Sequence, residues 1–263
     1  MKKKLYSCAH YVWSQYNRKI GEQVHRAIAD VAADIPCFVV CYNNHTYVRQ
    51  MVDQLNKLNL TPIIFDNAST DEETKALLKK LHQKNAHIIE VGRNLRHKVG
   101  FRPGIYEAMP ERFAYTDPDI KFGEAMADNF LDVLHGLTEE YGIFKAGLAL
   151  SVTAGRINSD MQRHYNVRKS IPFSASYSIT EFEKAHWRFP LKNRDGLEVY
   201  FAATDTTFAV YNKTKFRGEF MEGVRLAGNF SAIHLPWFPE LDQMNLVDKE
   251  NYMKTSKSSS WKN

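Results

Sequence analysis

With 263 residues, 44 % of them hydrophobic and 25 % charged, the chain is long enough to bury a full core. Its longest apolar run, Pro36 to Tyr42, falls far short of the roughly 20 residues that cross a bilayer, and Ser7, His10 and Gln15 interrupt the stretch where a secretory signal needs unbroken apolar residues. The net charge of +5 gathers at the ends (Lys2, Lys3, Lys4; Lys254, Lys257, Lys262) and forms no concentrated stripe, which argues against a nucleic-acid partner and predicts a cytoplasmic protein whose basic ends suit the inner membrane face.

Cys8, Cys37 and Cys41 make an odd set. The last two sit four apart within one apolar run, so a strand there points both to the same face, a geometry that a disulfide rarely bridges. They read as small buried hydrophobes in a reducing compartment.

From residue 36 to about 120, short apolar runs alternate with amphipathic stretches, the pattern of a parallel sheet flanked by helices. Phe38 to Cys41 is β-rich and continuous, as a strand buried on both faces should be. Val48, Met51, Val52, Leu55 and Leu58 recur at helical spacing. A second strand follows at Pro62 to Phe65. Ser69 and Thr70, each with Glu three residues on, predict capping boxes for a second helix carrying Ala76, Leu77, Leu78 and Leu81. Strands at His87 to Val91 and Phe113 to Thr116 complete the series. In such a sheet the strand ends meet loops on one shared edge, where ligands bind. The loops are Tyr42-Asn43-Asn44, Asp66-Asn67-Ala68, Gly92-Arg93-Asn94 and Asp117-Pro118-Asp119, and every one is polar.

The chain changes character from about 145. Leu148 to Val152 and Tyr200 to Tyr211 read as strands, 156 to 198 mixes aromatics and charges without a period, and Ser256 to Trp261 reads as a Ser/Lys-rich tail. These shifts divide the chain into a 1–35 extension, halves at 36–145 and 146–250, and a 251–263 tail.

Asp117 and Asp119 carry the sharpest chemistry. Two carboxylates flanking a proline after an apolar strand need a cation or many donors to compensate them. Magnesium or manganese takes oxygen ligands from one or two carboxylates and completes its shell with phosphate and water. A turn followed by a helix cap is the competing reading. Asp66 ends the second strand, facing the same edge, and no Gly-x-Gly-x-x-Gly or P-loop glycine run is present.

The runs Phe38 to Asn43, Pro62 to Asp71 and Tyr115 to Asp119 resemble bacterial glycosyltransferases of family 2 and the similar GT-A group. Thr204 to Tyr211, Ile233 to Trp237 and the Ser259-Ser260-Trp261 tail resemble later motifs of a subgroup found among surface-polysaccharide enzymes. The resemblance spans about residues 36 to 261. It implies a GT-A fold, in which 36–145 binds a nucleotide-sugar donor and 146–250 a glycan or lipid-linked acceptor, and it implies inversion at the transferred carbon. It places Tyr42, Asp66 and Asn67 at the nucleotide, Arg93 or Asn94 near its base or ribose, Asp117 and Asp119 at ribose and metal, and His234 as a further metal or diphosphate ligand. Trp187 and Trp237 are expected at the substrates.

Transfer also needs a base for the acceptor hydroxyl. Asp205, opening a β-rich run, is the first candidate, and Glu183, four before Trp187, is its rival; the family's Glu-Asp pair after the second-half strand is not found. Two other readings stay open. A nucleotidyltransferase would ordinarily show a glycine-rich basic loop after the first strand, where this chain has Tyr42-Asn43-Asn44-His45. A non-catalytic glycan-binding protein would have no reason to concentrate Asp117, Asp119 and His234.

Overall fold

A computed structural model describes residues 2–84, 86–157, 162–166 and 174–255; the tail motif with Trp261 and the side chain of Cys8 lie outside what is described. The elements run α1 (Lys2–Val31), β1 (Cys37–Cys41), α2 (His45–Lys57), β2 (Pro62–Asp66), α3 (Glu72–His82), β3 (His87–Glu90), β4 (Arg112–Thr116), β5 (Ile120–Phe122) and α4 (Phe130–Tyr141) in the first part. They continue with β6 (Lys145–Leu148), β7 (Gln162–Asn166), β8 (Ser174–Ser178), α5 (Ile179–His186), β9 (Pro190–Leu191), β10 (Val199–Phe201), β11 (Ala209–Asn212), β12 (Val224–Leu226), β13 (Ala232–His234) and α6 (Leu246–Thr255). This is an α/β fold with a large mixed sheet flanked by helices, consistent with the GT-A architecture.

The central sheet has the order β3-β2-β1-β4-β11-β6-β12-β10-β9. Its first four strands are mutually parallel. β11 inserts antiparallel between β4 and β6, and β10 pairs antiparallel with β12 and β9. The chain leaves β1 in one direction to build β2 and β3, then returns to place β4 on the other side of β1. That reversal is a topological switch point, beyond the carboxyl ends of β1 and β4 and between the loops 42–44 and 117–119, the place where open α/β sheets bind ligands.

Side-chain alternation divides β1 between two cores. Cys37, Val39 and Cys41 face α2 and α3 with Met51, Leu55, Leu77 and Leu81, whereas Phe38 and Val40 face α1 with Ile20, Val24 and Ala27. Burial pushes the Cys37 thiol up to about 12 and the Cys41 thiol higher still, so neither is a ready nucleophile. The second core is strongly aromatic. Phe38 stacks on Phe65 at 5.5 Å, and Phe113 on Tyr211 at 5.1 Å.

Three sequence expectations are corrected. The cap of α3 is Asp71, whose carboxylate accepts from Thr74 N, because Ser69 and Thr70 are committed to the neighbouring loop. The run Tyr200 to Tyr211 divides into β10 and β11, with the loop around Thr204 to Thr206 between them, and the strand expected from Leu148 ends there, β6 having begun at Lys145. Within 1–35, α1 packs on β3 and fills one side of the second core.

Candidate functional site

The loops after β1 and β2 are stitched together. Asn43, at φ +49°, accepts through Oδ1 from Thr70 N (2.7 Å) and Asp71 N (3.2 Å), donates through Nδ2 to Thr70 Oγ1 (3.0 Å), and donates its backbone N–H to Ser69 Oγ (3.1 Å). Asn tolerates this left-handed backbone better than most residues. Ser69 in turn donates N–H and Oγ–H to Asp66 Oδ1, at 2.9 and 2.6 Å. Asp66 is thereby fixed, half-buried, at the carboxyl end of β2, and Tyr42 stands half-buried on the adjoining loop.

Asn67 does a different job from the one expected of it. It is fully buried; Oδ1 accepts from Leu95 N (3.0 Å) and Nδ2 donates to Arg96 O (3.5 Å), so its amide rivets the β2 loop to the β3 loop instead of facing a ligand. Asn94 is exposed and accepts from Arg96 N at 2.8 Å. Arg93, also exposed, lies against α1, its guanidinium carbon 3.4 Å from the centroid of Trp13.

Asp117 follows β4 directly. Its N–H donates to Thr206 O (3.0 Å), and Thr206 Oγ1 donates to Asp117 Oδ2 (2.7 Å), tying the β4 loop to the loop before β11. Burial, and then the Asp119 charge, push the Asp117 carboxyl well above the ordinary carboxylate range, against the pull of the Thr206 bond. Asp119 is placed by β5, which pairs antiparallel with β13 so that Ile120 opposes His234. His234 Nε2 lies 3.4 Å from Asp119 Oδ2, and Leu235 N donates to Asp119 O at 2.9 Å.

Asp119 Oδ1 is buried, and among the described residues no hydrogen-bond donor reaches it. A buried carboxylate oxygen without a donor, an imidazole beside that carboxylate, and a second carboxyl whose ionisation burial opposes are donor types that suit a hard divalent cation. Asp117, Asp119 and His234 nevertheless do not form a closed three-ligand group. Among the described residues, the group of three within 4.8 Å of one another is His45, Glu73 and Asp248. His45 Nε2 lies 2.9 Å from Glu73 and 3.6 Å from Asp248, beside a recess of ≈ 250 Å³ at the start of α2. Nothing in the local sequence singled out His45, because its partners lie in α3 and α6.

Of two expected substrate contacts, one is turned inward and the other is half-buried. Trp237 is 2 % exposed and packs in the first core with its ring 4.6 Å from that of His234, so it supports the histidine from behind. Trp187 is half-buried, with Tyr200 stacked alongside at 6.5 Å.

The base candidates fare differently. Glu183 is buried in an ion pair with Arg225 (Nη1 to Oε2, 2.6 Å), with His186 3.6 Å away. Arg225 Nη2 also donates to Ala203 O at 2.8 Å, so the pair braces the backbone two residues before Asp205. A carboxylate held this way is poorly placed to take a proton from a substrate. Asp205 keeps 37 % side-chain exposure, with Lys98 Nζ at 2.9 Å and His97 Nε2 at 3.9 Å. Sequence reasoning missed His97 and Lys98; the basic run Arg96-His97-Lys98 in the third edge loop was the available signal.

The family described as Glycosyl transferase family 2 matches residues 37–134, the stretch that contains β1 to β5 and the Asp66 and Asp117 loops. The match supports glycosyl transfer, with a nucleotide-sugar donor and a glycan acceptor as the family's substrates. No curated protein matches the chain.

Proposed function

We propose that the protein is an inverting, metal-dependent glycosyltransferase that moves a hexosyl or N-acetylhexosaminyl unit from a nucleoside diphosphate, UDP first among the candidates, to a hydroxyl of a glycan or lipid-linked acceptor in surface-polysaccharide synthesis. The observation that supports it is Asp119 beside His234, Oδ2 to Nε2 3.4 Å, with Asp119 Oδ1 buried and undonated, while Asp117, after β4 at a topological switch point, feels the Asp119 charge. Asp117, Asp119 and His234 would hold the cation. A bound Mn2+ or Mg2+ supplies neutralisation of the charge that develops on the departing diphosphate.

Asp66 and Tyr42 face the nucleoside end of the donor. Asp205 takes the acceptor hydroxyl proton while that oxygen bonds to the anomeric carbon, the bond from that carbon to the diphosphate breaks, and the diphosphate leaves with the electron pair. Lys98 and His97 fix the direction from which Asp205 approaches. The lysine-rich ends suit a peripheral place at an inner membrane face, where lipid-linked acceptors reside.

Calorimetric titration with UDP, with and without manganese, on the wild type and on Asp119→Ala tests the reading. Binding that needs the metal and is lost in the variant is expected. Equal binding by the two proteins would remove Asp119 from the site.

A further inference from the structure

α1 lies outside the family match, yet it is fastened to the edge of the sheet that carries the proposed donor site. Gln23 covers the open backbone of Glu90, donating from Nε2 to its carbonyl (3.2 Å) and accepting its N–H at Oε1 (3.0 Å). Tyr16 OH donates to Val91 O, and Asn17 Nδ2 donates to Pro103 O at 2.7 Å. Gly21 and Gly104 meet so closely that a Cβ on Gly21 would come within 2.7 Å of Gly104 O. These contacts protect an edge strand from stray pairing and require no ligand to explain them.

Trp13 is not explained in that way. It sits one turn before Asn17 with 44 % of its surface exposed, standing edge to face with Tyr16 at 6.3 Å and 85°. The Arg93 guanidinium carbon lies 3.4 Å from the Trp13 centroid and 4.6 Å from that of Tyr16. The guanidinium is thereby held against two rings, giving up side-chain freedom that a solvated arginine would keep. Among the described residues, no carboxylate or carbonyl accepts from its N–H groups. The loop that bears it begins at Val91, whose N–H bonds to Asp66 O (3.0 Å), so Arg93 belongs to the same edge as Asp66. A fixed planar donor array at that edge is complementary to a flat ligand rich in carbonyl oxygens.

We propose that α1 completes the donor site: Trp13 and Tyr16 are positioning residues that hold Arg93 so that its N–H edge meets the carbonyl-bearing base of the nucleoside diphosphate. The inference rests on the donor reading above and adds to it a helix that the family match does not contain. It gives the site a preference for a pyrimidine dione over adenine, whose ring carries no carbonyl.

UDP and ADP are titrated into the wild type, Trp13→Ala, Trp13→Phe and Arg93→Lys in the presence of manganese, with thermal melting of each protein. The expected result is that Trp13→Ala weakens UDP about tenfold, a loss of about 1.4 kcal/mol, while ADP affinity and melting stay at wild-type values, and that Trp13→Phe restores most of the difference. Arg93→Lys leaves the helix packing intact and keeps the charge without the planar fork, so it should show the same loss even if Trp13→Ala fails to fold. Wild-type UDP affinity in Trp13→Ala and Arg93→Lys, or equal weakening of UDP and ADP, overturns the positioning role alone. A wild type that binds neither nucleotide overturns the donor reading and this inference with it.

Discussion

In the parallel half of the sheet, Asp66 ends β2 and Asp117 follows β4, each set at its height by a strand whose neighbours fix its register. In the mixed half, Asp205 and Glu183 are placed by charges that come from remote stretches, Lys98 in the β3 loop and Arg225 on β12. The first arrangement takes its height from backbone pairing and its aim from single neutral hydroxyls, Ser69 on Asp66 and Thr206 on Asp117. The second depends on individual ion pairs, so single substitutions there reach both chemistry and stability.

The sharpest break between the halves is expected at Asp205. Asp205→Asn keeps size and shape but cannot take a proton, and sugar transfer should fall by about 10²–10⁴-fold with circular dichroism unchanged. Transfer at the wild-type rate would move the base elsewhere. Next, Arg225→Met strands the Glu183 carboxylate in the interior, and chemical denaturation should show a loss of about 3–5 kcal/mol, most of it recovered when Glu183→Leu is added. A small loss from the single change would mean that the mixed half is held by its strands after all.

A pH-dependent effect concerns Lys145, which is fully buried on β6 under the Phe220 ring, with its ammonium 3.9 Å from the ring centroid. Burial is the largest influence on this amine and lowers its pKa from 10.5 to about 7, against the pull of Asp205. Between those two values the unfolded chain binds a proton that the folded one does not, so stability rises as pH climbs from about 7 towards 10.5. Denaturation across that window should show a slope of up to about 1.4 kcal/mol per pH unit, absent in Lys145→Met. A wild-type profile with no such slope would mean that the amine stays charged in the fold.

The same contrast decides how much could be read in advance. Strand ends follow from local alternation, so the shared edge and the places of Asp66, Asp117 and Asp119 were visible in short windows of sequence. The direction of a side chain at that edge was not. Asn67 and Asp66 are neighbours, yet one rivets the β2 loop to the β3 loop while the other holds Ser69 at the end of its own strand, because successive residues at a strand end point opposite ways. Trp237 looked like a sugar platform by residue type and serves as backing for His234. Glu183, His45 and Lys98 owe their surroundings to partners more than 25 residues away, which no period or spacing records.

The anchors of α1 join it to residues 67, 75 and 86 positions further along the chain. During synthesis, therefore, α1 leaves the ribosome before the surface it rests on, which is complete only when β3 and the loop at Pro103 have followed it. Loop closure over such separations is slow compared with the local pairing of β1 with β2. A helix made before the sheet is thus among the last parts to dock on it.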